Sequence, residues 1–363
     1  MNMSDHPYIE KKRKDRKETM RKIKVLVVED SAFFRGLLVK HLNNDPALEV
    51  VASAQDPFEA RDMIVKYKPD VMTLDIEMPR MNGLEFLRKL MPQYPMPVVM
   101  ISSLSDKVFE ALNAGAVDFV AKPAMSDRKK LEELMTNELP IKIKIASTAK
   151  IGNIKKVAVP TLTETVNVNA NSKDLVLAIG ASTGGTEAIA TVLKEFGPDI
   201  PGTIIVQHMP AGFTEMYANR LNDQCRVNVK EAKHGDKVVP GQVLIAPGGD
   251  CQMYLVKANG GYQVEIKPGP KVSGHCPSVD VLFESVAKSA GSRAVGIILT
   301  GMGADGAKGL LEMRKAGATT IGQDESTCIV YGMPKVAYDI GAVEYQEQLG
   351  DIAKKTYAVL NNM

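Results

Sequence analysis

Three segments of the C-terminal half carry residues able to cleave an acyl bond. Ile179-Gly180-Ala181-Ser182-Thr183-Gly184-Gly185 sets a serine on a glycine-rich turn directly after the apolar run 175–179. Val206-Gln207-His208-Met209-Pro210 sets a histidine directly after the apolar run 203–206. A hydroxyl becomes a nucleophile when a neighbouring base takes its proton, and histidine is the usual base. The glycines let the backbone turn sharply and leave the hydroxyl exposed. A histidine acting as base needs a carboxylate to fix its tautomer and stabilise the imidazolium. Leu299-Thr300-Gly301-Met302-Gly303-Ala304-Asp305-Gly306, after the apolar run 295–299, supplies Asp305. The chain order Ser…His…Asp departs from the Ser…Asp…His order of α/β-hydrolases, although Gly180 to Gly184 fits G-x-S-x-G formally. Of the five histidines, His6 falls in the N-terminal tail, His41 on a helix and His234 in a turn, so His275 is the reserve candidate for the site.

The N-terminal half holds a different constellation. Glu29-Asp30, Asp75, Ser102-Ser103 and Lys122-Pro123 each follow an apolar run that reads as a strand. Clustered carboxylates repel unless a cation joins them, and hard oxygen ligands suit Mg²⁺. A carboxylate beside a divalent ion and a lysine can attack a phosphoryl group, because the developing charge is neutralised. A hydroxyl at Ser102 would then sense the added phosphate oxygens.

These residues need a scaffold that gathers strand ends. Residues 23–146 alternate strands at 23–28, 50–54, 71–74, 97–101 and 118–120 with helices at 32–42, 57–67, 83–91 and 107–114. A last helix starts near Ser126, and Pro140 is expected to end or kink it. From Asp174 the alternation resumes, with strands at 175–179, 203–206, 243–246, 295–299 and 318–321 and a β-hairpin of 253–257 with 262–266 about Asn259-Gly260-Gly261. The pattern predicts two α/β units: a flavodoxin-like (βα)5 domain at 23–147, and a doubly wound, mostly parallel domain with a β-hairpin at 173–363. A Thr-, Val- and Asn-rich linker at 148–172 joins them, after a basic extension at 1–22. A parallel sheet brings the carboxyl ends of its strands to one edge, where ligands bind.

Composition bounds the rest. A chain of 363 residues with net charge +2 and 24% charged residues has no excess that points to nucleic acid. No run of 18 apolar residues is present and the first 22 residues lack an apolar signal core, so no membrane span is expected. Four scattered cysteines without a C-x-x-C pair predict reduced thiols in a cytoplasmic protein and no zinc site. Two alternatives stand beside the hydrolase. One is a binding-only output, a scaffold or DNA binder, against which the lack of basic recognition helices argues. The other is a dinucleotide fold, since Gly301 to Gly306 is a formal G-x-G-x-x-G between a strand and a helix. That fingerprint normally opens its fold, yet only about 57 residues follow it here.

The first half resembles a response-regulator receiver domain, through Val-Val-Glu-Asp-Ser (27–31), Leu-Asp-Ile-Glu-Met-Pro-Arg-Met-Asn-Gly (74–83) and Val-Ala-Lys-Pro (120–123). The resemblance implies that Asp75 is phosphorylated by a partner histidine kinase. It also implies that Glu29, Asp30, Asp75 and the Glu77 carbonyl surround Mg²⁺, and that Ser102 and Lys122 contact the phosphoryl group. Over about residues 23–357 the chain resembles the chemotaxis protein-glutamate methylesterases, known as CheB. Further carrying segments are Ala-Pro-Gly-Gly (246–249), His-Cys-Pro-Ser-Val-Asp (275–280) and Gln-Asp-Glu-Ser-Thr-Cys (323–328). That resemblance implies hydrolysis of methyl esters on glutamates of chemotaxis receptors, with deamidation of receptor glutamines, and no cofactor for the esterase. It maps Ser182, His208 and Asp305 onto a triad, makes Thr183 and Met302 second-tier residues with the Met302 N–H as oxyanion donor, and makes the receiver a phosphorylation-controlled lid.

Overall fold

Strand β1 (Ile23–Val28) opens a computed structural model that describes residues 21–103, 105–151, 174–258 and 260–363. The basic extension up to residue 20 and most of the expected linker lie outside the described residues. Strands β1, β2 (Leu48–Ala54), β3 (Val71–Asp75), β4 (Val98–Ser102) and β5 (Asp118–Ala121) alternate with helices α1 (Ala32–Asn43), α2 (Pro57–Tyr67), α3 (Gly83–Leu90) and α4 (Lys107–Asn113). They build one parallel sheet of order β2-β1-β3-β4-β5, the flavodoxin-like order. Every residue of β3 and β4 is buried, as expected for strands covered by helices on both faces. Ser31, Asp56 and Asn82 start the first three helices by accepting hydrogen bonds from backbone N–H groups two or three positions on.

Of the two expectations for Pro140, an end or a kink, the last helix of this half corrects the first. It runs as α5 (Arg128–Glu133), a π-helical turn (Leu134–Glu138) and α6 (Leu139–Ala146), rather than stopping. The wider π turn makes room for the pyrrolidine ring and needs no N–H at the proline, so the helix continues past it.

The second half centres on a seven-stranded parallel sheet of order β15-β14-β13-β6-β7-β10-β8. Its strands are β6 (Val176–Ala181), β7 (Gly202–Gln207), β8 (Asn228–Glu231), β10 (Gln242–Ile245), β13 (Ala294–Ile298), β14 (Thr319–Gln323) and β15 (Tyr345–Glu347). Its helices are α7 (Gly185–Glu195), α8 (Phe213–Gln224), α9 (Val279–Ser289), α10 (Ala307–Lys315), α11 (Met333–Asp339) and α12 (Ile352–Leu360). The expected hairpin forms as β11 (Cys251–Ala258) and β12 (Gly261–Pro268), paired antiparallel from Cys251↔Pro268 to Ala258↔Gly261. The short strand β9 (Lys237–Val238) extends it through Tyr262↔Val238. Central strand β6 has β7 on one side and β13 on the other, so the strand order reverses there. The crevice that opens at such a point is where ligands bind in α/β sheets.

One apolar core runs through both halves. Phe109 of α4 stacks on Tyr217 of α8, with centroids 5.5 Å apart, and Phe119 of β5 lies 4.8 Å from Phe213. All four rings are buried. Aromatic pairs of this kind add about 0.5–1.5 kcal/mol each beyond their burial. The N-terminal half therefore docks through the open edge of its sheet, β5, together with α4.

Candidate functional site

Ser182, His208 and Asp305 follow β6, β7 and β13, the three central strands. Gly184 holds φ +77 at the N-terminal cap of α7, a conformation that favours glycine. A Cβ on Gly185 would come within 2.2 Å of Gln207 Oε1, so the turn after Ser182 closes only with glycine there. The Ser182 N–H donates to the Thr300 carbonyl at 3.0 Å, and the His208 N–H donates to the Ala181 carbonyl at 3.2 Å. These bonds tie the three strand ends together. His208 Nε2 meets Asp305 Oδ2 at 2.8 Å. His208 Nδ1 is buried and has no hydrogen-bond partner among the described residues.

Asp305 is 1% exposed and accepts three more hydrogen bonds: from Ser278 Oγ at 2.7 Å, the Val279 N–H at 2.8 Å and the Asp280 N–H at 3.0 Å. Two of these donors belong to the first turn of α9, where the helix dipole favours negative charge. Burial pushes the Asp305 carboxyl up, but the bond to His208, the His208 charge and the Ser278 and backbone bonds outweigh it and hold it at about 2. Gly306 packs against Val279, and Asp305 is turned to His208 and α9. The ends of the loop that matched the dinucleotide fingerprint, Gly301 and Asp305-Gly306, are thus packed against neighbouring protein, while Met302 to Ala304 between them are exposed.

Sequence reasoning gave no role to several residues of this network. Gln207 Nε2 donates to the Ser182 and His208 carbonyls, at 3.0 and 3.2 Å. Thr300 Oγ1 donates to the Thr183 carbonyl at 3.0 Å, and the Gln323 side chain accepts from the Thr300 N–H at 2.8 Å. Each lies inside a segment picked out by the reading, next to a residue of obvious chemistry. Their bonds run between strands, which composition does not reveal. Met302 is 44% exposed, and among the described residues neither its N–H nor that of Thr183 is engaged.

The Thr183 hydroxyl reaches across the domain boundary. Its Oγ1 donates to Asp118 Oδ2 at 2.6 Å, while Asp118 Oδ1 accepts from Lys142 Nζ of α6 at 2.7 Å. The Lys150 N–H donates to the Ile329 carbonyl at 3.3 Å, and Lys271 pairs with Glu133. The first half is thus fastened beside Ser182.

In the N-terminal sheet, Glu29, Asp30 and Asp75 bring carboxylate oxygens within 4.8 Å of one another at the ends of β1 and β3. Lys122 Nζ, after β5, bonds Asp75 Oδ2 at 2.6 Å and both Glu29 oxygens at 2.9 Å. Burial raises the Glu29 carboxyl to about 7, with the Asp75 charge adding to the rise and Lys122 offsetting it in part. The Glu77 N–H donates to Asp75 Oδ1 at 3.0 Å, and the buried Ser102 hydroxyl donates to the Ser103 carbonyl at 2.8 Å. Ser102, at the end of β4 beside β3, is therefore turned to its own backbone.

Comparison with known proteins follows the same division. The family profile described as CheB methylesterase matches residues 177–356, and that described as response regulator receiver domain matches residues 25–135. The chain is 62% identical over 344 residues to the protein-glutamate methylesterase/protein-glutamine glutaminase 2 of Syntrophomonas wolfei, covering 95% of this chain and 99% of that protein. It is 52% identical over 349 residues to the protein-glutamate methylesterase/protein-glutamine glutaminase of Syntrophotalea carbinolica, covering 94% and 98%. Among solved structures, the CheB methylesterase catalytic domain of Thermotoga maritima is 35% identical, with a TM-score of 0.50, covering 51% of this chain and 98% of that domain.

Proposed function

The chain belongs to the protein-glutamate methylesterase/protein-glutamine glutaminase family, and on that premise we propose how its residues perform and regulate the reaction. The protein is a chemotaxis methylesterase with a receiver domain. We divide it into a receiver at 23–147, a linker at 148–172 and a catalytic domain at 173–363. Its substrate is a methyl-esterified glutamate, or a glutamine, on a chemotaxis receptor.

Ser182 Oγ attacks the ester carbonyl carbon as His208 Nδ1 takes the hydroxyl proton. Asp305, on the opposite ring nitrogen, fixes that tautomer and stabilises the imidazolium. The oxyanion is received by the Met302 N–H, with the Thr183 N–H following the nucleophile as in other serine hydrolases. Collapse expels methanol, protonated by His208, and leaves an acyl-serine. A water that gives its proton to His208 then attacks the acyl carbon, releasing the glutamate carboxylate and restoring Ser182. With glutamine the departing group is ammonia. The observation that carries this reading is His208, a buried imidazole held at Nε2 by Asp305, whose Nδ1 has no hydrogen-bond partner among the described residues. Methanol release from methylated receptor membranes, together with fluorophosphonate labelling of Ser182, tests it. A protein that is neither labelled nor active would overturn it and return the binding-only output to favour.

Asp75 accepts a phosphoryl group from a partner histidine kinase. The hard-oxygen set of Glu29, Asp30 and Asp75 fits Mg²⁺, and these residues with the Glu77 carbonyl would hold it. Bound there, the ion supplies charge neutralisation. Lys122 is already hydrogen-bonded to Asp75, and Ser102 reaches the phosphoryl group by turning from the Ser103 carbonyl. The receiver covers the Ser182 edge until then. The Thr183–Asp118 bond and the buried aromatic contacts support that lid reading. The four free cysteines suit work in the cytoplasm.

A further inference from the structure

We propose that His275 is a positioning residue for the catalytic imidazole: its ring lies flat on His208 and fixes the plane in which Nε2 meets Asp305. The inference rests on the Ser182–His208 mechanism above and names the part that keeps its base in place.

The two rings are 3.7 Å apart between centroids and 10° from parallel. An imidazole held by one hydrogen bond can still rotate about that bond, and among the described residues Nδ1 has no partner to act as a second anchor. A flat neighbour at van der Waals distance removes that rotation. The His275 ring is itself delivered by a two-residue turn. The Val272 and His275 backbones exchange both hydrogen bonds at 2.9 Å, across Ser273 at φ +52 and Gly274 at φ +86. Four residues later the same segment becomes the start of α9, which donates to Asp305. One stretch, 272–280, thus braces both members of the His208–Asp305 pair: the ring from its face, the carboxylate from its far side.

Chemistry requires this brace to be uncharged, because His208 becomes a cation in each half-reaction. Burial and the His208 charge lower the His275 pKa to about 4, against the pull of Asp305, with Lys142 of the receiver and Lys271 adding to the lowering. A neutral ring can lie on an imidazolium; a second cation could not.

The test uses the full-length protein with a small phosphodonor and methylated receptor membranes. His275→Ala is expected to lower kcat about 10- to 100-fold with KM within about twofold, since misplacement of a catalytic group by an ångström costs on that order. Water then reaches the exposed ring face and hydrates the imidazolium, so the acid limb of the kcat profile moves up by about half a unit or more. His275→Phe, which keeps a flat face, recovers most of kcat and the wild-type acid limb. His275→Leu, which fills the volume without a face, does not, and this pair decides the matter if the alanine variant fails to fold. Equal kcat and equal acid limbs in the Phe and Leu variants would overturn the proposal, as would an Ala variant matching wild type. Loss of methanol release in the wild type itself would instead count against the Ser182 mechanism.

Discussion

Asp305 is where the electrostatics of the site are concentrated. Its depressed pKa ties stability to pH with a definite sign. A carboxyl at about 2 in the folded protein and near 3.8 when unfolded stabilises the fold above the higher value. That contribution disappears as pH falls from about 4 to about 2, and a shift of this size is worth about 2 kcal/mol. Asp305→Asn should therefore lose stability relative to wild type at neutral pH, with the gap narrowing below pH 4 in denaturant titrations. The same variant favours the wrong His208 tautomer and is expected to lower kcat by up to about 10⁴. An unchanged kcat would mean that another acid orients His208. Ser182→Ala is expected to cost on the order of 10⁶ in methanol release while the melting temperature is retained. Activity within a factor of ten of wild type would remove Ser182 as the nucleophile.

Strand β5 links the two chemistries through four residues. Asp118 at its start holds Thr183, beside the nucleophile, and Lys122 just past its end holds Asp75. A phosphoryl group on Asp75 competes for Lys122, and a shift of β5 would be felt at Asp118. Switches act only through free energy that differs between two arrangements. Asp118→Ala removes the acceptor for Thr183 and the carboxylate that pairs with Lys142, so it should weaken the closed arrangement. We expect methanol release without phosphodonor to rise about 5- to 30-fold, within the usual range of coupling energies. The further gain from phosphodonor should shrink correspondingly. An unaltered ratio of stimulated to basal activity would show that the Asp118 contact does not hold the lid.

At the scale of the molecule, the shared core holds the two halves against each other. A chain beginning near Asp174 lacks Phe109 and Phe119, so it exposes Phe213 and Tyr217 and, on the lid reading, uncovers the Ser182 edge. It should exceed the unphosphorylated full-length protein in activity, by roughly 5- to 150-fold. Phosphodonor should raise only the full-length protein, and Asp75→Ala should abolish that rise. Equal activities, both indifferent to phosphodonor, would exclude an inhibitory lid. The reach of sequence alone follows the same line. Apolar runs ending in Glu29-Asp30, Asp75, Lys122, Ser182 and His208 were legible because strand periodicity and glycine-rich turns are local, and a parallel sheet must collect such ends on one edge. The two-residue strand β9, and β15 with its exposed residues, lack the apolar pattern that marks a strand, and were not legible. The π turn before Pro140 was not legible either, since a proline in sequence announces a break and only packing on both sides carries the helix through. Which nitrogen of His208 faces Asp305, the His275 ring lying on it and the Asp118–Thr183 bond were decided by tertiary structure alone. Each depends on side chains from separate elements meeting at hydrogen-bond or van der Waals distance, and no local preference of the chain encodes that meeting.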